Sequence, residues 1–536
     1  MLTDARSGDA EDELETDACI VGGGPAGMML ARELGRAGVR VCLLESGGIE
    51  HEADTQALYR GRVVGQRYFT LDESRVRRLG GATNRWGGWC RAMDPIDFEA
   101  RDWVPDSGWP IAFADVDRYS ERTREVLRIL SDREALRTAT SVGGRHVLPL
   151  ASDQFETGIL QFSPLVDFAA AYRDELFEAP TVHVVLHANV TSIERDPDGT
   201  AVRRVVATTL TGRRIAVRAR VFVLAAGAIE NARLMLASNV GNERDLVGRY
   251  FAEHPHVRCG VLEAAPGVDV AFYDELQRRG REPMAWFVTP PSVQRARRLL
   301  TFSASLRQRR PVPIEWLAST QTPAYLSAKS LLEATLFGRG PADWGRRLPR
   351  MLTGMADVVR GMAARSSRQA FRGRLFEIKV RAEQVPNRES RVRLNGERDR
   401  IGMPMVDLDW RTTEQDRVSV REHARSLAAA LTAAGMGRVL FPRDLDAIPF
   451  IDGVGGGWHQ MGTTRMAHDP ASGVVDETCR VHGVPNLYVA GSSVFPTYGF
   501  ANPTFTIIAL SLRLADHLAT RLAAPPVRVV AAPILP

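Results

Sequence analysis

The pattern of hydrophobic and polar positions predicts a strand, a helix and a second strand near the start of the chain. Residues 18–21 form a short apolar run typical of a buried parallel strand. A glycine-rich turn follows, residues 28–37 favour a helix, and residues 39–44 form a second apolar strand. This order predicts a βαβ unit.

Strand and helix signals recur in later blocks of the chain. They are residues 221–225 (strand), 229–237 (helix), 486–489 (strand) and 503–518 (helix). Residues 182–195 and 202–219 alternate between apolar and polar positions, as an antiparallel ribbon does. The region between 251 and 444 is more irregular, with strand-like runs such as 376–385.

These blocks predict an α/β fold class, α+β overall. We expect a Rossmann-like nucleotide-binding domain assembled from separated segments, with an inserted substrate domain built on an antiparallel sheet with helices. The predicted boundaries are a disordered acidic leader over 1–16, the nucleotide-binding domain over 17–115, 182–256 and 445–522, the substrate domain over 116–181 and 257–444, and a loose tail over 523–536.

Composition indicates an ordinary globular protein. The 536 residues are 44% hydrophobic and 25% charged, which suits two or three domains and excludes a disordered chain. Lysine accounts for only two of the 69 basic residues, but acidic residues interleave with the arginines throughout. We therefore expect no nucleic-acid partner, and we attribute the arginine excess to a genome rich in G and C.

Five scattered cysteines without paired spacing favour a reducing compartment. Residues 483–512 carry no formal charge, but Pro485, Pro496 and Pro503 would break a lipid-exposed helix. We therefore expect a cytoplasmic protein with no membrane partner.

The turn after the first strand carries a dinucleotide-binding pattern, Gly22, Gly24 and Gly27. Glycine at these positions permits a tight turn, a close approach to a pyrophosphate and close packing of helix on strand. Glu45 ends the second strand, where a carboxylate accepts hydrogen bonds from ribose hydroxyls and repels a 2′-phosphate. The pattern predicts FAD or NAD and does not choose between them.

Three further motifs lie far apart in the chain. Residues 78–88 form a second glycine-rich loop, residues 458–466 read WHQMGTTRM, and residues 486–496 lead into Asn502, Pro503 and Thr504. Together with the βαβ unit, they resemble the glucose–methanol–choline (GMC) oxidoreductases, flavoproteins that oxidise alcohols. The resemblance covers residues 17–115, 182–256 and 375–520.

The resemblance implies bound FAD and an FAD-binding domain. The residues it assigns to the cofactor are Gly22, Gly24, Pro25, Ala26, Glu45, Gly81, Thr83, Asn84, Trp86, Gly87, Val190, Gly491, Asn502, Pro503 and Thr504. Some relatives attach flavin covalently through a histidine in the glycine-rich loop, and here Arg85 stands at that position. Because arginine cannot form that link, we predict non-covalent FAD.

His459 and Asn502 are the predicted catalytic residues. Alcohol oxidation needs a base for the hydroxyl proton, and an imidazole titrates near neutral pH. The resemblance places the catalytic histidine at His459 and a second catalytic position at Asn502, whose amide would hold the substrate oxygen. Asn502 is also a good helix N-cap before Pro503, and the two roles are compatible.

Other residues have both a functional and a structural interpretation. His254 and His256 flank Pro255 and suggest a metal pair, but the resemblance favours a structural stretch, and we predict no metal. Trp86, Trp89 and Trp458 suit stacking on a sugar face or packing in the core.

The motif wording is closest to sugar-oxidising members of the family, including those of aminoglycoside biosynthesis. We expect a sugar or aminoglycoside hydroxyl as substrate, with O₂ or another electron acceptor. A polycationic aminoglycoside needs carboxylates in its pocket, and Glu253 and Glu383 are candidates. The alternatives are a pyranose or glycoside oxidase or dehydrogenase acting at C2 or C3, an NAD-dependent dehydrogenase and a non-catalytic flavin-binding protein.

Overall fold

A computed structural model describes residues 1–7, 11–150, 152–165, 167–277, 280–308, 322–336, 344–366, 374–441 and 456–523. The strands are β1 (Leu2–Asp4), β2 (Glu13–Val21), β3 (Val41–Leu44), β4 (Gly61–Val63), β5 (Trp89–Cys90), β6 (Glu156–Phe162), β7 (Val182–Leu186), β8 (Asn189–Arg195), β9 (Val202–Thr208), β10 (Arg214–Leu224), β11 (His256–Ala264), β12 (Met284–Val288), β13 (Phe302–Gln308), β14 (Leu375–Ala382), β15 (Arg391–Arg398), β16 (Pro404–Asp409), β17 (Gly437–Leu440) and β18 (Leu487–Val489).

The α-helices lie between and beside these strands. They are α1 (Pro25–Arg36), α2 (Ala53–Gln56), α3 (Phe113–Asp117), α4 (Ser120–Leu127), α5 (Asp132–Arg137), α6 (Phe168–Glu178), α7 (Ala228–Ser238), α8 (Pro291–Arg297), α9 (Pro323–Leu336), α10 (Trp344–Thr353), α11 (Met355–Ser366), α12 (Glu414–Ala433) and α13 (Thr504–Ala523). The predicted tail lies outside the described residues from residue 524 onwards.

The first sheet has the order β1-β7-β3-β2-β10-β9-β8, and β18 pairs with β10. The parallel part of this sheet consists of β1, β7, β3, β2, β10 and β18. At its other edge, β9 pairs antiparallel with both β10 and β8. Every residue of β3 is buried, because α1 covers this sheet and packs in turn against α13. The predicted βαβ unit and Rossmann-type α/β fold are confirmed.

Two expectations for this sheet were wrong. The segment 1–16 was expected to be disordered, but β1 pairs with β7 and the start of β2 pairs with β10. Its polar side chains misled the prediction, because the backbone hydrogen bonds of an outer strand do not require apolar side chains. Residues 182–186 were expected in the antiparallel ribbon, but β7 pairs parallel with β3, since its buried apolar residues continue the parallel core.

The second sheet is antiparallel, with the order β17-β11-β14-β13-β12-β6-β5, and β15, β16 and β4 form a third. β5 lies in a segment predicted for the nucleotide domain, yet it pairs with β6 of the second sheet. The domain boundaries remain a prediction. In the described part of the chain, no helix is long and apolar enough to span a membrane.

Candidate active site

The glycine-rich turn brings the backbone between β2 and α1 unusually close to its neighbours. Gly22 has a φ of +109°, and a Cβ there would lie 2.7 Å from the carbonyl oxygen of Ala225. A Cβ at Gly27 would lie 1.9 Å from the carbonyl oxygen of Gly22, so only glycine allows α1 to pack this way. α1 begins at Pro25, and its first turn leaves backbone N–H groups without partners inside the helix.

Glu45 follows directly after β3, and the residue is 5% exposed. Its Oε2 accepts the N–H of Gly23 at 2.7 Å, and its Oε1 accepts the N–H of Gly47 at 2.7 Å. These bonds fix the carboxylate while each oxygen retains acceptor capacity for a ligand.

The second glycine-rich loop contains a short 3₁₀ helix, Gly81–Asn84. The Thr83 hydroxyl donates to the carbonyl oxygen of Gly80 at 2.6 Å. Asn84 donates from Nδ2 to two carbonyl oxygens of the same loop, each at 2.9 Å. Asn84 therefore braces the loop and does not line the cavity beside it.

A cavity of about 340 Å³ extends from the glycine-rich turn to His459. The predicted site residues that line it are Gly22, Gly24, Pro25, Ala26, Glu45, Gly81, Thr83, Trp86, Gly87, His459, Gly491, Asn502, Pro503 and Thr504. Val190 lines a smaller cavity that shares Gly22 and Tyr59 with the first. Apart from Asn84 and Val190, the structure brings the predicted site residues together.

A backbone bridge holds His459 in place. Ala252 and Met461 exchange hydrogen bonds of 3.1 and 3.0 Å, which lays residues 252–256 beside 457–461. Asn502, two residues before α13, donates from Nδ2 to His459 Nε2 at 3.0 Å. Its Oδ1 is buried and has no partner among the described residues, so this oxygen does not cap the helix.

His254 contacts the opposite nitrogen of the His459 ring. The two Nδ1 atoms are 2.8 Å apart, and His254 Nε2 lies 3.2 Å from the carbonyl oxygen of Tyr498. A carbonyl only accepts, so His254 carries its proton on Nε2 and its Nδ1 accepts from His459 Nδ1–H. The neutral His459 ring then has its lone pair on Nε2, where Asn502 donates.

Both rings are neutral at neutral pH. Burial lowers the pKa of His254 to about 4. Burial lowers the pKa of His459 well below its usual range, and the positive charge of Arg381 acts in the same direction. His459 therefore presents an unprotonated nitrogen, as a base requires.

Glu253 fixes the main chain around this pair. It is fully buried and accepts hydrogen bonds from the Tyr68 hydroxyl at 2.8 Å and from the backbone N–H groups of His254, Gly457 and His459. Burial raises the pKa of this carboxyl to about 7, against the lowering effect of these hydrogen bonds.

The two carboxylates named as candidates for a cationic substrate do not line the cavity. Glu253 is used by the backbone and Tyr68, and Glu383 is fully buried in an ion pair with Arg101, whose Nη1 lies 2.8 Å away. Neither candidate is available to a substrate, because both carboxylates satisfy donors inside the protein. Of the described residues that line the cavity, Glu45 is the acidic one.

Sequence reasoning missed three residues near His459. His254 and His256 were interpreted as a structural stretch, but His254 touches His459 and His256 lines the cavity, with ring centroids of His256 and His459 6.0 Å apart. Arg381 also lines the cavity. The alternation of histidines around Pro255 was a usable signal, whereas Arg381 meets His256 only through the register of β14 on β11.

The three predicted tryptophans, Trp86, Trp89 and Trp458, all line the cavity. Trp86 Nε1 donates to the carbonyl oxygen of Leu165 at 2.8 Å, and the Trp458 ring packs edge-on to Phe69. Within the described ranges, no three His, Cys, Asp or Glu side chains are grouped so as to hold a metal ion.

The cavity suits a dinucleotide. A pyrophosphate matches the glycines that leave room at the cavity wall and the N-terminus of α1. A ribose matches the fixed Glu45 carboxylate. The orphaned Asn502 Oδ1 and the lone pair of His459 lie at the other end. The fold and the cavity together define a dinucleotide-dependent oxidoreductase.

Comparisons with known proteins give the same class. A model described as "FAD dependent oxidoreductase" matches residues 17–242, and one described as "GMC oxidoreductase" matches residues 386–511. The chain therefore contains an FAD-dependent oxidoreductase domain and a GMC oxidoreductase domain in separate segments.

The chain is 27% identical to 6'''-hydroxyparomomycin C oxidase of Streptomyces lividus and 25% identical to paromamine 6'-oxidase of Streptomyces fradiae. Each match covers 95% of this chain and 92% of the relative. Among solved structures, pyridoxine 4-oxidase from Mesorbium loti superposes with a TM-score of 0.57 at 18% identity, covering 94% of this chain and 99% of that one. This likeness concerns the fold.

Proposed function

We propose that this protein oxidises a hydroxyl group of a sugar or glycoside to the carbonyl, with His459 as the base and Asn502 as the residue that holds the substrate oxygen. Bound FAD supplies the acceptor for the hydride that leaves the alcohol carbon. The observation that carries the proposal is the contact of His459 Nε2 with Asn502 Nδ2, at 3.0 Å, on the wall of a dinucleotide-shaped cavity.

The division of labour follows from the hydrogen bonds. His459 Nε2 is unprotonated and receives the hydroxyl proton as the C–H bond breaks. On binding, the substrate hydroxyl takes the place of Asn502 Nδ2 at this nitrogen, so that Nδ2 donates to the substrate oxygen instead. The unpaired Oδ1 of Asn502 adds an acceptor for a neighbouring substrate hydroxyl. Glu253 keeps the backbone of His459 in place from behind.

The names of the relatives support a sugar-like substrate, since two of them are oxidases of aminoglycoside-type compounds. The tryptophans on the cavity wall also suit the apolar face of a pyranose ring. We further propose that FAD is held without a covalent bond, because Arg85 occupies the position at which some relatives carry a histidine.

The test is anaerobic mixing of the purified yellow protein with a panel of glycosides. We expect bleaching of the flavin, and we expect His459→Ala to retain FAD but to bleach about 10²- to 10⁴-fold more slowly. Asn502→Ala should have a smaller effect. His468→Ala is the matched control, because His468 is an exposed histidine paired with Glu477.

The outcomes separate the alternatives. Bleaching of His459→Ala at the wild-type rate would remove His459 as the base. A yellow protein that no alcohol bleaches would be a non-catalytic flavin-binding protein, and a colourless one that reduces NAD would be a nicotinamide dehydrogenase. Repeating the panel with and without oxygen, and measuring peroxide, distinguishes an oxidase from a dehydrogenase.

A further inference from the structure

Two unsatisfied polar groups lie side by side on the second sheet next to His459. Arg381 of β14 and His256 of β11 occupy directly paired positions, and both residues line the cavity. Arg381 Nη1 and His256 Nε2 are buried and have no hydrogen-bond partner among the described residues. Buried polar groups are almost always paired, so this pair indicates a missing ligand.

The Arg381 guanidinium is held by aromatic rings rather than by an acid. Its central carbon lies 4.0 Å from the Trp89 ring centroid and 4.5 Å from that of Trp286. Neighbouring Lys379 is paired with Glu275 at 2.6 Å and is not among the described residues that line the cavity, whereas Arg381 is. Burial lowers the pKa of Arg381 to about 10, so it is charged at neutral pH.

We propose that Arg381 and His256 form a carboxylate-binding subsite and that the substrate is an acidic sugar or glycoside rather than a polycationic one. This inference rests on the proposed oxidation of a sugar hydroxyl and specifies its substrate class. An arginine pairs with the two oxygens of a carboxylate, and a neutral imidazole can add an N–H from Nε2. An ammonium group would instead be repelled by Arg381.

The subsite lies close enough to His459 for one substrate to place its carboxylate at Arg381 and His256 and its hydroxyl at the base. The His256 and His459 ring centroids are 6.0 Å apart, and Arg381 is the cross-strand neighbour of His256. A carboxylate held by Arg381 and His256 therefore lies within one sugar ring of a hydroxyl at His459 Nε2.

The test uses the holoenzyme and compares three matched glycosides as substrates: methyl glucoside, methyl glucuronide and methyl 6-amino-6-deoxyglucoside. In anaerobic rapid mixing, the rate of flavin reduction divided by the dissociation constant should be at least tenfold higher for the glucuronide than for the neutral sugar. It should be lowest for the amine. Arg381→Met should lower the value about 100-fold for the glucuronide and less than threefold for methyl glucoside, with Arg381→Lys in between.

Arg438→Met is the matched control, because Arg438 is an exposed arginine of β17 in the same sheet, paired with Glu263. Loss of this charge should leave all three values unchanged. A preference of the wild type for the amine or for the neutral sugar, or an equal loss with all three glycosides in Arg381→Met, would overturn the inference.

A binding measurement keeps the subsite testable without turnover. Cyclohexanecarboxylate has no hydroxyl to oxidise, and its titration into the wild-type protein should perturb the visible flavin spectrum, whereas cyclohexylmethylamine should not. If no glycoside reduces the flavin, the proposed function fails, and this titration still decides the subsite. Absence of a carboxylate effect in the wild type would refute the subsite even if Arg381→Met does not fold.

Discussion

The contact between His254 and His459 predicts opposite outcomes for two similar substitutions. Asparagine carries Oδ1 on Cγ, as histidine carries Nδ1, so His254→Asn keeps an acceptor for His459 Nδ1–H. Glutamine carries its amide one bond further, towards the Tyr498 carbonyl, so His254→Gln keeps that contact and removes the acceptor beside His459.

The magnitude follows from the burial of the pair. His254 is fully buried and the Nδ1 atoms are 2.8 Å apart, so the lost acceptor leaves a buried N–H unpaired or shifts His459 to the tautomer with Nε2 protonated. An unpaired buried group costs about 1–3 kcal/mol. Since 1.36 kcal/mol corresponds to tenfold, His254→Gln should slow flavin reduction about 5- to 150-fold. His254→Asn should stay within about threefold of the wild type.

The assay is anaerobic stopped-flow reduction of the flavin by a substrate that bleaches the wild type. Flavin content and the visible spectrum serve as controls for folding. A purely structural role of His254 would lower flavin content or stability in both variants without distinguishing them. Equal slowing of the two variants, or slowing of neither, would refute the tautomer assignment.

Three other expectations concern the fold, its pH dependence and the cofactor. Gly24→Ala should leave the apoprotein as stable as the wild type but weaken FAD binding, because the new Cβ meets only the Ala225 carbonyl oxygen, at 4.0 Å. Gly27→Ala should instead destabilise the fold itself. Thermal unfolding with and without FAD checks both expectations. Because burial raises the pKa of Glu253 to about 7, the folded state binds a proton more tightly than the unfolded state. The contribution of protonated Glu253 to the free energy of unfolding is complete below about pH 4.5 and is lost as pH rises towards 7. Between pH 5 and 8, the free energy of unfolding should therefore fall by up to about 3 kcal/mol more in the wild type than in Glu253→Gln. Denaturation should release all the flavin, since Arg85 cannot bond to it, and flavin that stays on the polypeptide after filtration would contradict this.

Much of the site could be predicted from the sequence because its signals are local. The turn at Gly22–Gly27 and the carboxylate at Glu45 depend on the order of neighbouring residues along a single βαβ unit. The motif around His459 and the residues before α13 were recognised in the same way, and the structure brings them to one cavity. Their roles in catalysis remain predictions.

Other parts of the site depend on pairings between distant segments. Glu253 was only a candidate for contact with a cationic substrate, and it satisfies the main chain of His459, which no local pattern specifies. Asn84 lies in the recognised loop, yet its side chain braces the loop instead of facing the cavity. Strand β1 was missed because its pairing with β7 depends on backbone hydrogen bonds and a polar contact between Thr3 and His183, and not on a run of apolar side chains.

The sequence by itself determined the class of fold, the dinucleotide turn and the presence of a histidine and an asparagine suited to alcohol oxidation. These features follow from residues close together in the chain, where apolar periodicity and glycine spacing specify the local structure. Only the tertiary structure decided the tautomer of His459 and the charge of the cavity wall. Both depend on strand register and on a backbone bridge, which bring His254 and Arg381 to the site from segments more than a hundred residues apart.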